Sequence, residues 1–453
     1  MTDQNISYTG NYRLLAATIY TGTKIALNIV NLITNINIIE SVSNDSIRGS
    51  LKVMESSGVL EDYPIRGEES LFLDIEDPLG NRQYYYLFVY KVDNVITSFS
   101  NDRLSYTLHF VTRQRFNADQ KRVTAAYDEY VSKIAEEIFN NNYITSQPPR
   151  TTITNPNKFL EIENTEGKVK LIIPRMTPAQ SIKMLESRAY SSTSPSCSFR
   201  FFESSRSFYF VTDEYLYGKA INEDKIFNFS YADNISRDNS TFLTRMANLE
   251  TFRNTSRVDT FDELHGGTYR NVVISLDINN RVVETLDYNY VDNRDSYFRG
   301  LSGTGQSDRH SDTFTNSVFT AENARRMIMV KDYVGEQTGQ LRGEQFLPEI
   351  AANRLAYFKN LNSITVSASG PGRLDVTCGD FIRVNIPEFR HASENRKPNR
   401  QLSGIYMVES VTRSFNKDVY ANEYTLVKRN WELNAPSDSS IDNINIYGGG
   451  NPQ

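Results

Sequence analysis

The sequence predicts an α+β protein rich in β-strands, built from two similar tube-like barrel domains separated by mixed α/β insert domains. Its 453 residues include 27 Tyr and 25 Phe, two residue types that favour half-buried pleated surfaces. Apolar residues alternate with period two in the first and last parts of the chain, whereas helical spacing appears between them. At roughly 100 to 200 residues per domain, the length agrees with about three compact units.

The first barrel is predicted over residues 1–113. Its clearest element is a hairpin in which the alternating residues 71–76 run into the turn cluster Asp77-Pro-Leu-Gly-Asn. A second alternating run, residues 84–90, follows this turn. Short strands separated by turn residues are typical of a barrel or sandwich.

A mixed α/β domain is predicted over residues 114–225. An amphipathic helix ending near Asn140 is expected from apolar residues at helical spacing, namely Val123, Tyr127, Tyr130, Val131, Ile134 and Ile138. Thr177-Pro-Ala-Gln180 predicts the capped start of a second helix, because Thr and Gln form a capping box and Pro suits the first turn. Residues 199–202 and 208–211 predict a hairpin.

The second half of the chain is predicted to contain three further segments. Residues 226–345 form a β-rich insert that includes the strand pair 272–278 and 281–286, a long polar loop over 292–320, and candidate strands for the second barrel. The second tube-like barrel covers residues 346–434 and opens with a helix near Leu347. Residues 435–453 are too polar and Gly-rich to fold alone and are predicted to be a flexible tail.

The two predicted barrels share an internal repeat. Tyr90, Val92, Val95 and Phe99 have the same offsets as Tyr406, Val408, Val411 and Phe415. The repeated tripeptides Tyr106-Thr-Leu108 and Tyr424-Thr-Leu426 follow, and Gly67 and Gly379 precede an alternating strand in each copy. The three-residue step between the two Val residues indicates a β-bulge, which bends a strand as a small barrel requires.

Tyr-x-Val-x-x-Val is common in β-proteins, so one copy carries little information. Two copies in the same order favour duplication, and duplication has a consequence for assembly. A closed three-fold oligomer of such a chain presents six similar barrels around one axis, so a three-fold object can meet a six-fold one.

No catalytic, cofactor-binding or metal-binding residue is predicted. The histidines His109, His265, His310 and His391 lie in separate segments without zinc-site spacing, and Cys197 and Cys378 form no Cys-x-x-Cys motif. The carboxylate pairs Glu61-Asp62 and Glu68-Glu69 are candidates for glycosidase chemistry, but solvated turns explain them better.

The formal net charge of −6 argues against a protein whose main task is to bind nucleic-acid phosphates. The first residues have no secretory pattern, and no apolar run reaches the length of a membrane helix. We therefore expect a protein that is made in a cytoplasm and does not insert stably into a membrane.

Several segments resemble the baseplate hub proteins of contractile-tailed bacteriophages, which are related to the spike-base proteins of type VI secretion systems. Residues 47–69 resemble the family's first barrel, and residues 267–278 with Asp287-Tyr288 resemble its central strand pair. Residues 374–387 and 403–411 resemble its second barrel. The loop 292–320 and the tail 435–453 have no counterpart in this resemblance.

This resemblance implies a non-enzymatic homotrimer in the virion, assembled in the host cytoplasm, whose barrels form a pseudo-hexameric ring. The implied partners are a tail tube or tube-initiator protein, a central spike protein and baseplate wedge proteins, with genomic DNA passing through the lumen without specific binding. Two alternatives remain open: a tail-associated cell-wall or polysaccharide hydrolase, and a carbohydrate-binding protein that uses exposed Tyr.

Overall fold

A computed structural model describes most of the chain. The described residues are 9–21, 26–56, 58–63, 65–98, 102–144, 157–194, 196–231, 241–256, 261, 266–267, 269–278, 281–289, 325–330, 342–361, 364–387, 399, 402–417 and 419–428. Phe99, the polar loop 292–320 and the tail 435–453 lie outside these residues.

The first barrel is a ring of antiparallel strands. Its elements are β1 (Arg13–Tyr20), β2 (Ala26–Asn28), β3 (Ile33–Ser41), β4 (Arg48–Glu55), α1 (Val59–Asp62), β5 (Ser70–Glu76), β6 (Arg82–Ser98) and β7 (Arg103–Thr112). β1 pairs with β2 and β5, and β3 continues through β4, β7 and β6 back to β5. Because β2 and β3 belong to one segment, these pairings close the ring around an apolar core.

The mixed domain follows β7. Its elements are α2 (Arg113–Asp119), β8 (Val123–Tyr130), α3 (Val131–Asn142), β9 (Leu160–Ile162), β10 (Lys168–Met176), α4 (Pro178–Glu186), β11 (Arg200–Glu203), β12 (Phe208–Val211) and α5 (Asp213–Asn222). The predicted hairpin is confirmed as β11 and β12. The predicted capping box is also confirmed at the start of α4, where Thr177 and Gln180 exchange two hydrogen bonds of 3.2 Å.

The predicted helix over residues 123–138 is wrong in its first half. Residues 123–130 form β8, which pairs with β10, and the helix α3 begins only at Val131. Apolar residues four positions apart, such as Val123 and Tyr127, fit a strand period of 2 as well as a helix period of 3.6. A partner strand distant in sequence therefore decided between the two structures.

The remaining elements form a second ring with an insert. They are β13 (Ile226–Tyr231), α6 (Phe242–Met246), β14 (Asn248–Leu249), β15 (Thr251–Ser256), β16 (Arg270–Asp277), β17 (Val282–Asn289), β18 (Arg325–Val330), α7 (Leu347–Leu361), β19 (Ile364–Pro371), β20 (Phe381–Asn385), β21 (Gly404–Asn416) and β22 (Tyr420–Lys428). β16 to β18 form a separate sheet that packs against α7. The second ring consists of β13, the segment containing β14 and β15, and β19 to β22.

The two rings have the same order of strands. Each ring has six strand segments along the chain: β1, β2–β3, β4, β5, β6 and β7 in the first, and β13, β14–β15, β19, β20, β21 and β22 in the second. Numbered in this way, the segments follow the order 1-2-3-6-5-4 around both rings. The rings differ in the direction of their first strand, because β1 is antiparallel to its neighbour β5 whereas β13 is parallel to β20. Ile226 at the start of β13 packs in an apolar cluster with the mixed domain, so the chain enters this ring beside the start of β20.

Close packing between strands predicts opposite effects for two glycines. A Cβ atom on Gly49 of β4 would lie 2.1 Å from the Asn37 carbonyl oxygen and 2.5 Å from the Phe110 ring, whereas nothing lies within 4 Å of one on Gly218 of α5. We expect Gly49→Ala to lower the free energy of unfolding by about 1–3 kcal/mol through overpacking. Gly218→Ala should raise it by roughly 0.5–1 kcal/mol, because Ala favours a helix interior. Urea denaturation of both variants checks this, and equal effects would contradict it.

Candidate functional site

The candidate site is the joint at which the two rings meet. β21 of the second ring pairs with β3 of the first in antiparallel register, from Ser410 opposite Ser41 to Asn416 opposite Asn35. The two rings therefore share one continuous sheet. The Ser414 hydroxyl donates a 2.9 Å hydrogen bond to Asn37 Oδ1 across this joint.

A buried ion pair lies at the centre of the joint. The Arg413 guanidinium contacts the Glu40 carboxylate, and both side chains are 0% exposed. Arg413 Nη2 also donates a 2.8 Å hydrogen bond to the Val376 carbonyl oxygen. Burial acts to lower the pKa of Arg413, but the Glu40 charge and the nearby Tyr85, Tyr420 and Tyr424 together hold the pKa well above its usual value. Arg413 is therefore a permanent cation in the joint.

The same carboxylate connects the mixed domain to the joint. The backbone amide of Ser205, in the turn between β11 and β12, donates a 3.1 Å hydrogen bond to Glu40 Oε2. Glu203, which is also buried, accepts hydrogen bonds from the Ile47 amide at 3.1 Å and the Thr112 hydroxyl at 2.6 Å. The first barrel, the mixed domain and the second ring thus meet at the buried carboxylates of Glu40 and Glu203.

Apolar contacts cover one side of the joint. Phe415 and Tyr420 belong to the second ring but pack in the core of the first, with their ring centroids 4.1 Å apart. Tyr12 of the first barrel meets Phe415 edge-on at 5.2 Å. The buried Asp77 carboxylate adds a polar link, because it accepts a 2.9 Å hydrogen bond from the Leu374 amide. The end of the β21–β22 hairpin therefore serves as part of the first barrel's core.

The predicted framework residues fall on corresponding strands. Tyr90, Val92 and Val95 lie on β6, the fifth strand of the first ring, while Tyr406, Val408, Val411 and Phe415 lie on β21, the fifth strand of the second. Tyr106 and Leu108 lie on β7, and Tyr424 and Leu426 lie on β22.

The strand registers also correspond. Val92 stands opposite Leu108, and Val408 stands opposite Leu426. A register shift follows in each ring, between Asp93 and Ile96 in β6 and between Val408 and Ser410 in β21.

The exposure of these residues differs between the rings. Tyr406 and Val411 are 0% exposed, whereas Tyr90 is 49% and Val95 is 53% exposed. An additional register shift between Val89 and Lys91 turns Tyr90 away from the first core. Val95 lies in the part of β6 that extends beyond the end of β5.

The two predicted glycines occupy similar turns. Gly67 and Gly379 have φ values of 90° and 84°, a left-handed region that glycine adopts without strain, and each precedes the fourth strand of its ring. A nearby carboxylate closes each turn: Glu69 accepts hydrogen bonds from the amides of residues 66–68, and Asp380 accepts one from Thr377. These bonds give Glu69 a structural role.

In the described part of the chain, the histidine and cysteine side chains form no catalytic or metal-binding cluster. His109 Nε2 lies 3.8 Å from Asp93 Oδ2, and the other three histidines are outside the described residues. Cys197 and Cys378 are free thiols whose pKa values are raised by burial. Among the described residues there is no cluster of three or more His, Cys, Asp or Glu suited to a metal ion, and no helix long and apolar enough to cross a membrane.

Glu40 and Arg413 were not predicted, although the sequence contains a sign of them. Arg413 lies between Val411 and Phe415 at the inward phase of a β-alternation. A charged residue at such a position requires a buried partner. The sequence does not show where that partner lies, because Glu40 is 373 residues away.

Several solved structures are similar to this chain. A tail protein from Neisseria meningitidis MC58 covers 92% of this chain and 97% of its own length at 11% identity, with a TM-score of 0.51. A 43 kDa tail protein of prophage MuSo2 from Shewanella oneidensis covers 92% and 100% at 10% identity, with a TM-score of 0.46. A chain of the Francisella PdpA-VgrG complex covers 95% and 61% at 9% identity, with a TM-score of 0.45.

No family model matches the sequence, and no curated protein matches it significantly. The Neisseria structure shows that the chain has the fold of a tail protein. The predicted β-rich α+β class is confirmed, and so is the resemblance to tail proteins at the level of the fold.

The buried pair predicts a large loss of stability when one partner is removed. Arg413→Met leaves Glu40 buried without its counter-charge, and we expect the free energy of unfolding to fall by about 3–5 kcal/mol. The double variant Glu40→Met/Arg413→Met should recover much of this loss, because no charge remains buried. Urea unfolding midpoints measure both effects.

Lys133→Met is a suitable control, because it breaks the exposed pair with Glu136 and should leave the midpoint unchanged. A double variant that is less stable than Arg413→Met would contradict the role assigned to the pair.

Proposed function

We propose that this protein is a structural hub of a phage tail baseplate, and that three copies form a ring joining a hexameric tail tube to a trimeric central spike. The observation that carries this proposal is the repeated ring, with the same strand order twice and one joint between the two copies. The fold shared with a tail protein from Neisseria meningitidis MC58 supports the proposal.

The joint has the geometry that a rotational ring needs. It connects the fifth strand of one ring to the second strand of the other, so it is heterologous. Strands two and five also run in opposite directions within each ring, as β3 and β21 do across the joint. The two barrels therefore point the same way, and further barrels can be added by the same rotation until the ring closes.

The inserted domains distinguish the two ends of such a ring. The mixed domain follows the end of β7, and the sheet of β16 to β18 is inserted between β15 and β19, at the corresponding end of the second barrel. The end of β6 and the start of β7 lie at the opposite end of the first barrel, and the end of β21 and the start of β22 lie at the corresponding end of the second. In a trimer, six similar hairpins would face one side and three copies of the larger domains the other. We assign the hairpin side to the tube and the domain side to the spike.

The charge of the chain suits the proposed lumen. A net charge of −6 favours a wall along which polyanionic DNA passes without adhering. On this proposal the protein is a virion component assembled in the host cytoplasm, with baseplate wedge proteins as further neighbours and no catalytic role.

Mass measurement tests the proposal. We expect the purified protein, alone or mixed with the spike protein from its own genome, to have the mass of a trimer, and a tube protein from that genome to bind the trimer. Incubation with peptidoglycan or host polysaccharide should release no sugar. A protein that stays monomeric with both partners present, or that cleaves a glycan, would refute the structural hub.

A further inference from the structure

The two strand edges that form the joint have counterparts at the outer ends of the chain. In the joint, residues 410–416 of β21, which lie past the part of β21 that pairs with β20, pair with residues 35–41 of β3. β6 is the equivalent of β21, because both are the fifth strand of their ring, and β15 is the equivalent of β3. The edges that correspond to the joint are therefore the part of β6 past its pairing with β5 and the edge of β15 that faces away from β19. Within the described residues, no strand pairs with β6 at 93–97 on this side or with β15 on the side opposite β19.

The unpaired part of β6 also carries exposed apolar side chains. Val411 stands opposite Tyr424, and Val95 lies in the bulge opposite the equivalent Tyr106. Val411 is 0% exposed and packs in the core of the second ring, but Val95 is 53% exposed. Its neighbour Ile96 is 62% exposed. Two adjacent apolar residues on an unpaired strand edge are a site for pairing with another chain.

We propose that β6 of one molecule pairs antiparallel with β15 of the next, repeating between chains the joint that β21 and β3 form within one chain. The occupant of the edge is a second copy of this protein, because the internal joint shows that the equivalent pair of edges, those of β21 and β3, fit together. This inference rests on the ring proposed above and names the contact that closes it.

The repeat has threonine in one copy where the other has arginine, and this difference fits a contact that forms only when molecules assemble. Thr97, opposite Leu104, takes the place that Arg413 has opposite Asn422. Arg413 is buried as the chain folds and never leaves its partner Glu40. A charge at residue 97 would be exposed in the free molecule and would lose its hydration on assembly, which carries a large free-energy penalty. A neutral threonine avoids this penalty.

Val95→Glu and the double variant Val95→Glu/Ile96→Glu test the contact. Both side chains are exposed in the single chain, so the fold should survive, and circular dichroism with thermal melting verifies this. We expect wild-type protein to have the mass of a trimer by light scattering or native mass spectrometry. The Val95→Glu protein should dissociate at concentrations at least about tenfold higher than wild type, and the double variant should be monomeric.

Ile172→Glu is a matched control, because Ile172 lies on β10 of the mixed domain and is 72% exposed. It introduces the same charge away from both edges and should leave the trimer intact. If Val95→Glu and its double variant assemble as well as Ile172→Glu while wild type is trimeric, the contact is wrong and the hub proposal stands. If wild type remains monomeric with its spike and tube partners, the hub proposal itself fails.

Amide hydrogen exchange locates the contact independently. On assembly, exchange should slow together in residues 93–97 and 251–255 of the wild-type trimer. It should remain fast in both segments of the Val95→Glu/Ile96→Glu variant. Protection of neither segment in a wild-type trimer would overturn the proposed strand pairing.

Discussion

The buried contact between Glu40 and Arg413 is the constraint on which the arrangement of the domains depends. Taking two charges out of water is unfavourable, so such a pair stabilises only the one geometry in which both are matched. Here the carboxylate also accepts the Ser205 amide, and the guanidinium also donates to the Val376 carbonyl. One position of the second barrel satisfies all of these bonds, and the register of β21 on β3 follows from it.

The joint is also of the kind that the proposed ring requires. A heterologous contact between equivalent barrels repeats by rotation, whereas an isologous contact would stop at a pair. The two barrels need not be identical for this. Most of their strand pairings correspond, but β13 runs parallel to β20 because the chain arrives from the mixed domain at that end. The fold keeps the strand edges that form the joint and changes the strand that connects to other domains.

Local chemistry explains why parts of the structure were predictable. The capping box at Thr177 and the hairpin around Asp77 depend on residues close together in sequence. The repeated Val and Leu positions also fall opposite each other in both rings, because a duplicated hairpin keeps its register. The first half of the predicted helix at Val123 was wrong because its spacing fits two periods and its partner β10 lies about 45 residues further along the chain.

The sequence by itself determined the β-rich class, the repeated hairpins and the lack of a recognisable catalytic motif, since these depend on residue type and short spacing. Only the tertiary structure decided which strand edges are paired and which are left open, and which charges are buried together. Val95 and Val411 have the same sequence context but opposite exposure, because Val411 packs in the core of its ring whereas Val95 lies on the part of β6 that extends beyond β5. The joint between β21 and β3 joins residues more than 300 positions apart, a separation at which local patterns carry no information.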